Sequence, residues 1–224
     1  MNSPYNRFFK FSLKEKTKFF LQLFGCLLLI VGSISIFIIW INPQLSFICM
    51  FLFFFSLSII APFIDVPSMV KSGKITYHSL FFLAEKENKG VIKVHGGTLF
   101  DYYFVFQKNM KGQERTKLVI YEYLKGLKNL IESQNQDIII EGTSYIINER
   151  TAKKLGLKKV QTNSSQLIIL IFNYFNLAMS ISLVKRKLHL PNLSNLNTYQ
   201  GEVSAIKSKE VFIDKMISRL DANN

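Results

Sequence analysis

From Phe19 to Ile64 the chain holds no Asp, Glu, Lys or Arg, a run of 46 residues without a full charge. One bilayer span takes about 20 residues, so the run is too long for a single crossing. It breaks at Asn42-Pro43-Gln44. Phe19 to Ile41 and Leu45 to Ile64 are then each the length of one transmembrane helix. The sequence predicts a helical hairpin at 19–64 (19–41 and 45–64) with a very short turn, a basic-aromatic lead over residues 1–18 and a cytoplasmic domain over residues 72–224. The 160 residues from Asp65 onward are enough to bury a core without disulfides or metal.

Charge gives the hairpin an expected orientation. Residues 1–18 carry five Lys and Arg against one Glu, and residues 65–224 carry 23 against 14. Both flanks are basic and the tip is uncharged, so the positive-inside rule places both termini in the cytoplasm of a two-span cell-membrane protein. The first apolar segment is too long for a signal peptide and lacks a small-x-small cleavage site. Basic residues alternate with Phe8, Phe9 and Phe11 in the lead, which suits an interfacial collar in contact with anionic lipid. Nucleic-acid binding would rest on charge alone and is disfavoured. Neither span holds an ionisable group, so neither reads as a proton path or transport site. Gly25 and Gly32, seven apart, would let a neighbouring helix approach closely. Cys26 and Cys49 fall within the spans and leave the domain no thiol for a disulfide or a Cys-based zinc site.

Beyond the hairpin, Pro62 and Pro67 are expected to bracket the membrane exit, with Ser72-Gly73 as a loosening point. Ile75 to Ala84 reads as a strand, Glu87 to Gly90 as a turn, and Val91 to His95 as the returning strand. Gly96-Gly97 has the form of a two-residue hairpin turn, with Thr98 to Gln107 as the third strand of an antiparallel meander. Gln113 to Ser133 is amphipathic at helical spacing. Asp137 to Ile147 is a fourth strand. Asn148 is a good cap for a short helix ending at Gly156, and Lys158 to Gln161 can be a last strand. Gln166 to Val184 is uncharged but has Lys on both flanks, so a core helix or a helix on the membrane surface fits better than a third span. Gln166, Asn173, Ser180 and Lys187 recur every seven residues on it, with Asn176 beside them. Gly201 to Leu220 is a final amphipathic helix. The fold class expected is α+β: the hairpin, then an antiparallel sheet with about four helices.

In the expected meander Asp101 shares a face with Ile92, Val94, Leu99 and Tyr103, where a carboxylate needs a partner such as Arg115 or Arg150. Thr143 and Ser144 lead towards the helix start at Asn148-Glu149-Arg150, which is either a plain cap or an anion site. Glu149 and His95 are the natural acid–base candidates beside Asp101. The glycine-rich His95-Gly96-Gly97-Thr98 would need a nucleophile elbow, and Gly142-Thr143-Ser144-Tyr145-Ile146 lacks the final Gly of one. Neither His78 nor His189 has a metal-ligand neighbour at the usual spacing, and no cofactor fingerprint is visible. Without a complete catalytic set, the first expectation is a docking or regulatory module held at the membrane for a protein partner or a second copy of itself. The alternatives are an enzyme or sensor for a small anionic ligand, contacted through Arg150, Thr143, Ser144 or Arg115, and a two-helix membrane effector gated by its domain. The topology is testable directly. A reporter fused after Asn224 is expected to be active only in the cytoplasm, and activity confined to the exported side would overturn the orientation.

Overall fold

The computed structural model describes residues 6–144, 147–162, 168, 171–192 and 196–221. The hairpin is formed by α1 (Leu13–Ile41) and α2 (Ser46–Lys71), joined by a single 3-10 turn at Pro43–Leu45. Asn42 caps that turn by accepting from the Gln44 N–H at 3.0 Å. α1 starts earlier than the apolar run because Ser12 and Glu15 form a reciprocal capping box. α2 continues through Pro62 and Pro67 to Lys71, so the prolines do not mark its end. A proline lacks the N–H that would reach the carbonyl four residues earlier. For Pro62 that carbonyl belongs to Ser58, and it accepts instead from Asn176 Nδ2 at 3.4 Å.

Arg7–Lys10 form a 3-10 turn that buries Phe8, whose ring lies 5.1 Å from both Phe100 and Phe104. Phe63 and Val66 of α2 complete this aromatic cluster, which also takes in Ile75, Tyr77 and Leu83. The lead and the hairpin base thus share a core with the sheet.

The sheet has six strands among the described residues: β1 (Ile75–Ser79), β2 (Phe82–Glu85), β3 (Val91–Gly96), β4 (Ile139–Ser144), β5 (Lys158–Val160) and β6 (Asn197–Glu202), in the order β1-β2-β3-β4-β6-β5. It is mixed, because β3 and β4 pair in parallel while the other neighbours are antiparallel. The helices that follow the hairpin are α3 (Leu99–Val105), α4 (Gly112–Ser133), α5 (Glu149–Lys154), α6 (Tyr174–Lys185), α7 (Val203–Lys207) and α8 (Glu210–Asp221). The described residues therefore make an α+β fold with eight α-helices. One sheet face, with Phe82, Ile92, Ile140 and Tyr199, packs on α4 and α8. The other meets α2 and α3 at its β1–β2 end.

Four further expectations change. Ile75 to Ala84 is two strands, because the chain turns at Leu80-Phe81. Glu122 of α4 holds that turn: its carboxylate accepts from the Leu80 N–H at 2.9 Å, and its carbonyl accepts from Ser79 Oγ at 2.6 Å. Thr98 to Gln107 is a helix, not a strand, which makes the connection to β4 a crossover and the sheet mixed. Gly201 and Glu202 belong to β6, and the last predicted helix is split into α7 and α8 by a break at Ser208-Lys209. Asp137 to Ile147 shortens to Ile139–Ser144, with Tyr145 and Ile146 outside the described residues, as is Gln166 of the seven-residue stripe.

Glu122 is 4% exposed and serves a turn that no Gly, Pro or Asn specifies. Glu122→Ala leaves the Leu80 N–H buried without an acceptor and is expected to cost about 1–3 kcal/mol. Glu122→Gln, which keeps an acceptor oxygen, is expected to cost less. Denaturant unfolding of both variants checks this, and equal losses would mean that the turn does not depend on that hydrogen bond.

Candidate functional site

The carboxyl ends of β3 and β4 lie side by side, and in parallel sheets that edge is where ligands commonly bind. A cavity of about 550 Å³ occupies it. Residues of both sheet faces line the cavity, as alternate side chains of a strand point to opposite sides. On the α4 side the lining is apolar and includes Phe82, Val94, Leu127, Ile140 and Tyr199. The other face contributes Glu85, Lys93, His95, Glu141 and Thr143. Across from them stand Pro62 of α2, then Asn173, and Asn176, Leu177 and Ser180 of α6. The site is an apolar interior with a charged and amide-bearing wall.

Gly96, Gly97 and Thr98 form its floor where β3 passes into α3. Neither glycine has positive φ. They are needed for close approach: a Cβ on Gly96 would collide with the Tyr123 hydroxyl, and one on Gly97 would sit 2.9 Å from Cδ1 of Phe81. The expected hairpin turn is therefore replaced by a tight strand-to-helix passage. Tyr123 is held by Tyr102, with their hydroxyls 3.1 Å apart, and burial pushes its phenol up to about 12.

His95 stands at the rim, with Nε2 2.7 Å from Glu85 Oε1, and both side chains are partly exposed. Thr143 Oγ1 lies 3.0 Å from Thr198 Oγ1, and Ser144 Oγ accepts from the Ile147 N–H at 3.3 Å. Glu141, opposite Lys93 in the parallel ladder, accepts from Gln200. Of the residues singled out from sequence, His95, Thr143 and Ser144 line the cavity together.

The other four do not. Asp101 is fully buried one helical turn behind the floor. It is not paired with Arg115 or Arg150, because it is the third residue of α3 and turns back on the helix start. Its carboxylate accepts from the Thr98 N–H at 2.8 Å, Thr98 Oγ1 at 3.0 Å, Asn6 Nδ2 at 3.2 Å and the Tyr77 hydroxyl. Burial pushes its pKa up to about 6, against the pull of those hydrogen bonds. Arg115 is a clip: Nη1 donates to the Leu183 carbonyl at 2.6 Å and Nη2 to that of Gln107 at 3.0 Å, with the guanidinium over the Phe106 ring. Glu149 pairs with Lys153 at 3.0 Å on the surface, a bond that lowers its pKa. Arg150 is exposed on the same short helix, and Asn148 caps that helix by accepting from the Thr151 N–H at 2.8 Å. The Glu149–Arg150 segment is a helix start and not a wall of the cavity.

Sequence reasoning missed Tyr123, Lys93 and Glu141 as site residues. Asn173, Asn176 and Ser180 were visible as a polar stripe, but nothing local says that the stripe faces a cavity. Comparison of the chain with protein-family models, with curated proteins and with solved structures finds no match to any of them.

The raised Asp101 pKa makes stability depend on pH. Between 3.8 unfolded and about 6 folded, the folded state holds the extra proton, so stability falls as pH rises through that window. The shift corresponds to about 3 kcal/mol. Relative to Asp101→Asn, the natural chain is expected to lose about that much stability between about pH 3 and pH 7. Unfolding of both proteins at the two pH values checks this, and parallel pH profiles would refute it.

Proposed function

We propose that this chain is a membrane-anchored binding module. In this reading α1 and α2 cross the bilayer, both termini lie in the cytoplasm, and the domain holds a small amphiphile with an apolar body and an anionic head. The anchor is supported by where the apolar surface lies. The most apolar stretch of α1 is entirely unburied and that of α2 is 22% buried, so neither behaves as the core helix of a soluble fold. Exposed apolar surface of that extent suits lipid. The basic flanks favour the cytoplasmic side and anionic head groups.

The observation that carries the ligand reading is the cavity at the ends of β3 and β4. Its volume is in the range of small-molecule sites, and its lining separates into an apolar side and a polar one. Lys93 and His95 stand where an anionic head would meet them, while Phe82, Leu127 and Ile140 would enclose the body of the ligand. Glu85 and Glu141 beside them set a limit on how much negative charge the wall accepts.

A docking role through α1, with a second copy of the chain as partner, is the second reading. It is favoured by Gly25 and Gly32, at which an added Cβ would meet nothing within 4 Å. Small, unobstructed positions of that kind allow a second helix to approach.

Decyl phosphate added to the full chain in lipid nanodiscs tests the ligand reading. At about 100 times its Kd it is expected to raise stability by about 2.7 kcal/mol. Leu177→Trp, which fills the cavity from α6, is expected to abolish the effect, and Lys93→Glu to weaken it. No stabilisation, or the same stabilisation of the natural chain and Leu177→Trp, would refute the cavity as the ligand site and favour the docking role.

A further inference from the structure

The segment around the start of α6 exposes large apolar side chains, while its buried side carries Asn176 and Ser180 beside Ala178 and Ile181. Asn176 and Ser180 are buried against the protein, with Ser180 Oγ donating to Asn176 Oδ1 at 3.4 Å. Ile171, Phe172, Phe175 and Met179 are exposed, Phe172 to 73%. These four recur at the spacing of one helical stripe. A helix in water turns its polar side outward and its apolar side in. The reverse arrangement is that of a helix whose outer side faces hydrocarbon.

The stripe also has a fixed height on α2. Ser58 Oγ donates to the Phe172 carbonyl at 3.1 Å, and the Phe55 and Phe175 rings meet edge to face at 4.3 Å. Ser58 lies six residues inside the end of the charge-free run at Ile64, and Phe55 nine. At the α-helical rise these are depths of about 9 and 14 Å along the axis. Half of a bilayer's hydrocarbon is about 15 Å thick. α6 itself, with 12 residues, reaches only about 18 Å, too short to cross, and a turn at Asn173 separates it from Ile171 and Phe172. The exposed stripe is therefore continuous with the outer surface of α2 at a level that only lipid can cover once α2 is in a membrane.

We propose that the face formed by Ile171, Phe172, Phe175 and Met179 is embedded in the lipid leaflet beside α2, as an element that enters the membrane without crossing it. This rests on the membrane reading of α1 and α2 given above. The polar back of the same element, Asn173, Asn176 and Ser180, lines the cavity. The site then adjoins the leaflet, and its ligand reaches it from the membrane plane.

Trp40, the chain's single tryptophan, lies in α1 and makes the two claims separable. The full chain is placed in vesicles of phosphatidylcholine and phosphatidylglycerol with or without bromine on the acyl chains. Quenching of Trp40 by brominated lipid reports the anchor. In Trp40→Phe combined with Phe172→Trp, the indole at position 172 is expected to lose most of its emission to brominated lipid and to be insensitive to aqueous iodide. Met179→Trp in the same background is expected to behave alike and covers the case in which the first variant does not fold. Iodide quenching at positions 172 and 179 without lipid quenching, while Trp40 is quenched by lipid, would overturn the embedding and leave the anchor standing. Absence of lipid quenching at Trp40 itself would overturn the anchor, and the embedding with it.

Discussion

The buried Asp101 carboxylate is the joint on which the remaining architecture depends. Its four donors come from three separate stretches of chain: Asn6 before α1, Tyr77 on β1 and Thr98 at the start of α3. A carboxyl group with no outlet to water must be satisfied where it stands, and these partners can do so only if the lead, the sheet and the crossover helix are all in place. Around it, Phe8, Phe63, Phe100 and Phe104 pack edge-on and tilted at ring separations of 5–6 Å. The apolar shell makes the polar centre costly to disturb, and the polar centre fixes which way the shell closes. The hairpin base is thereby built into the domain.

That joint explains why the candidate site lies where it does. Asp101 holds Thr98, and Gly96-Gly97 let β3 run beneath Tyr123 and Phe81 without obstruction. The sheet changes partners at this place. The β1–β2 end of one face is covered by aromatic rings from α2 and α3, while further along the same face Glu85, Lys93, His95 and Glu141 replace apolar side chains. The cavity is the seam between the two regimes.

Much of the local structure was legible in the sequence. The charge-free run marked the two apolar helices, helical spacing marked α4, and Asn148 with Gly156 marked both ends of α5, where Gly156 takes φ +80. What was not legible was set by distant contacts. Leu80-Phe81 is an apolar turn that exists because Glu122, 42 residues on, supplies its acceptor. The run Leu99–Val105 carries aromatics with good strand propensity, and only the Thr98–Asp101 cap tips it to helix. Asn197–Glu202 has no alternating apolar pattern and its last two residues read as the start of the final helix, yet it is an inner strand whose Tyr199 hydroxyl donates to the Ile147 carbonyl. The need of Asp101 for partners follows from its apolar neighbours in the sequence, but its face does not, because Leu99–Val105 is a helix and not a strand. His95, Thr143 and Ser144 stand out in the sequence as polar groups towards the ends of strands, which is information that sequence carries; the far wall of the cavity is not.

Pro62 has a consequence in time as well as in space. Its missing N–H leaves the Ser58 carbonyl without a helical partner, and the amide that takes its place belongs to Asn176, 118 residues later. Synthesis runs from the N-terminus, so α2 emerges complete with that vacancy long before the group that fills it exists. The two-helix frame is made first, and α6 is set against it only later.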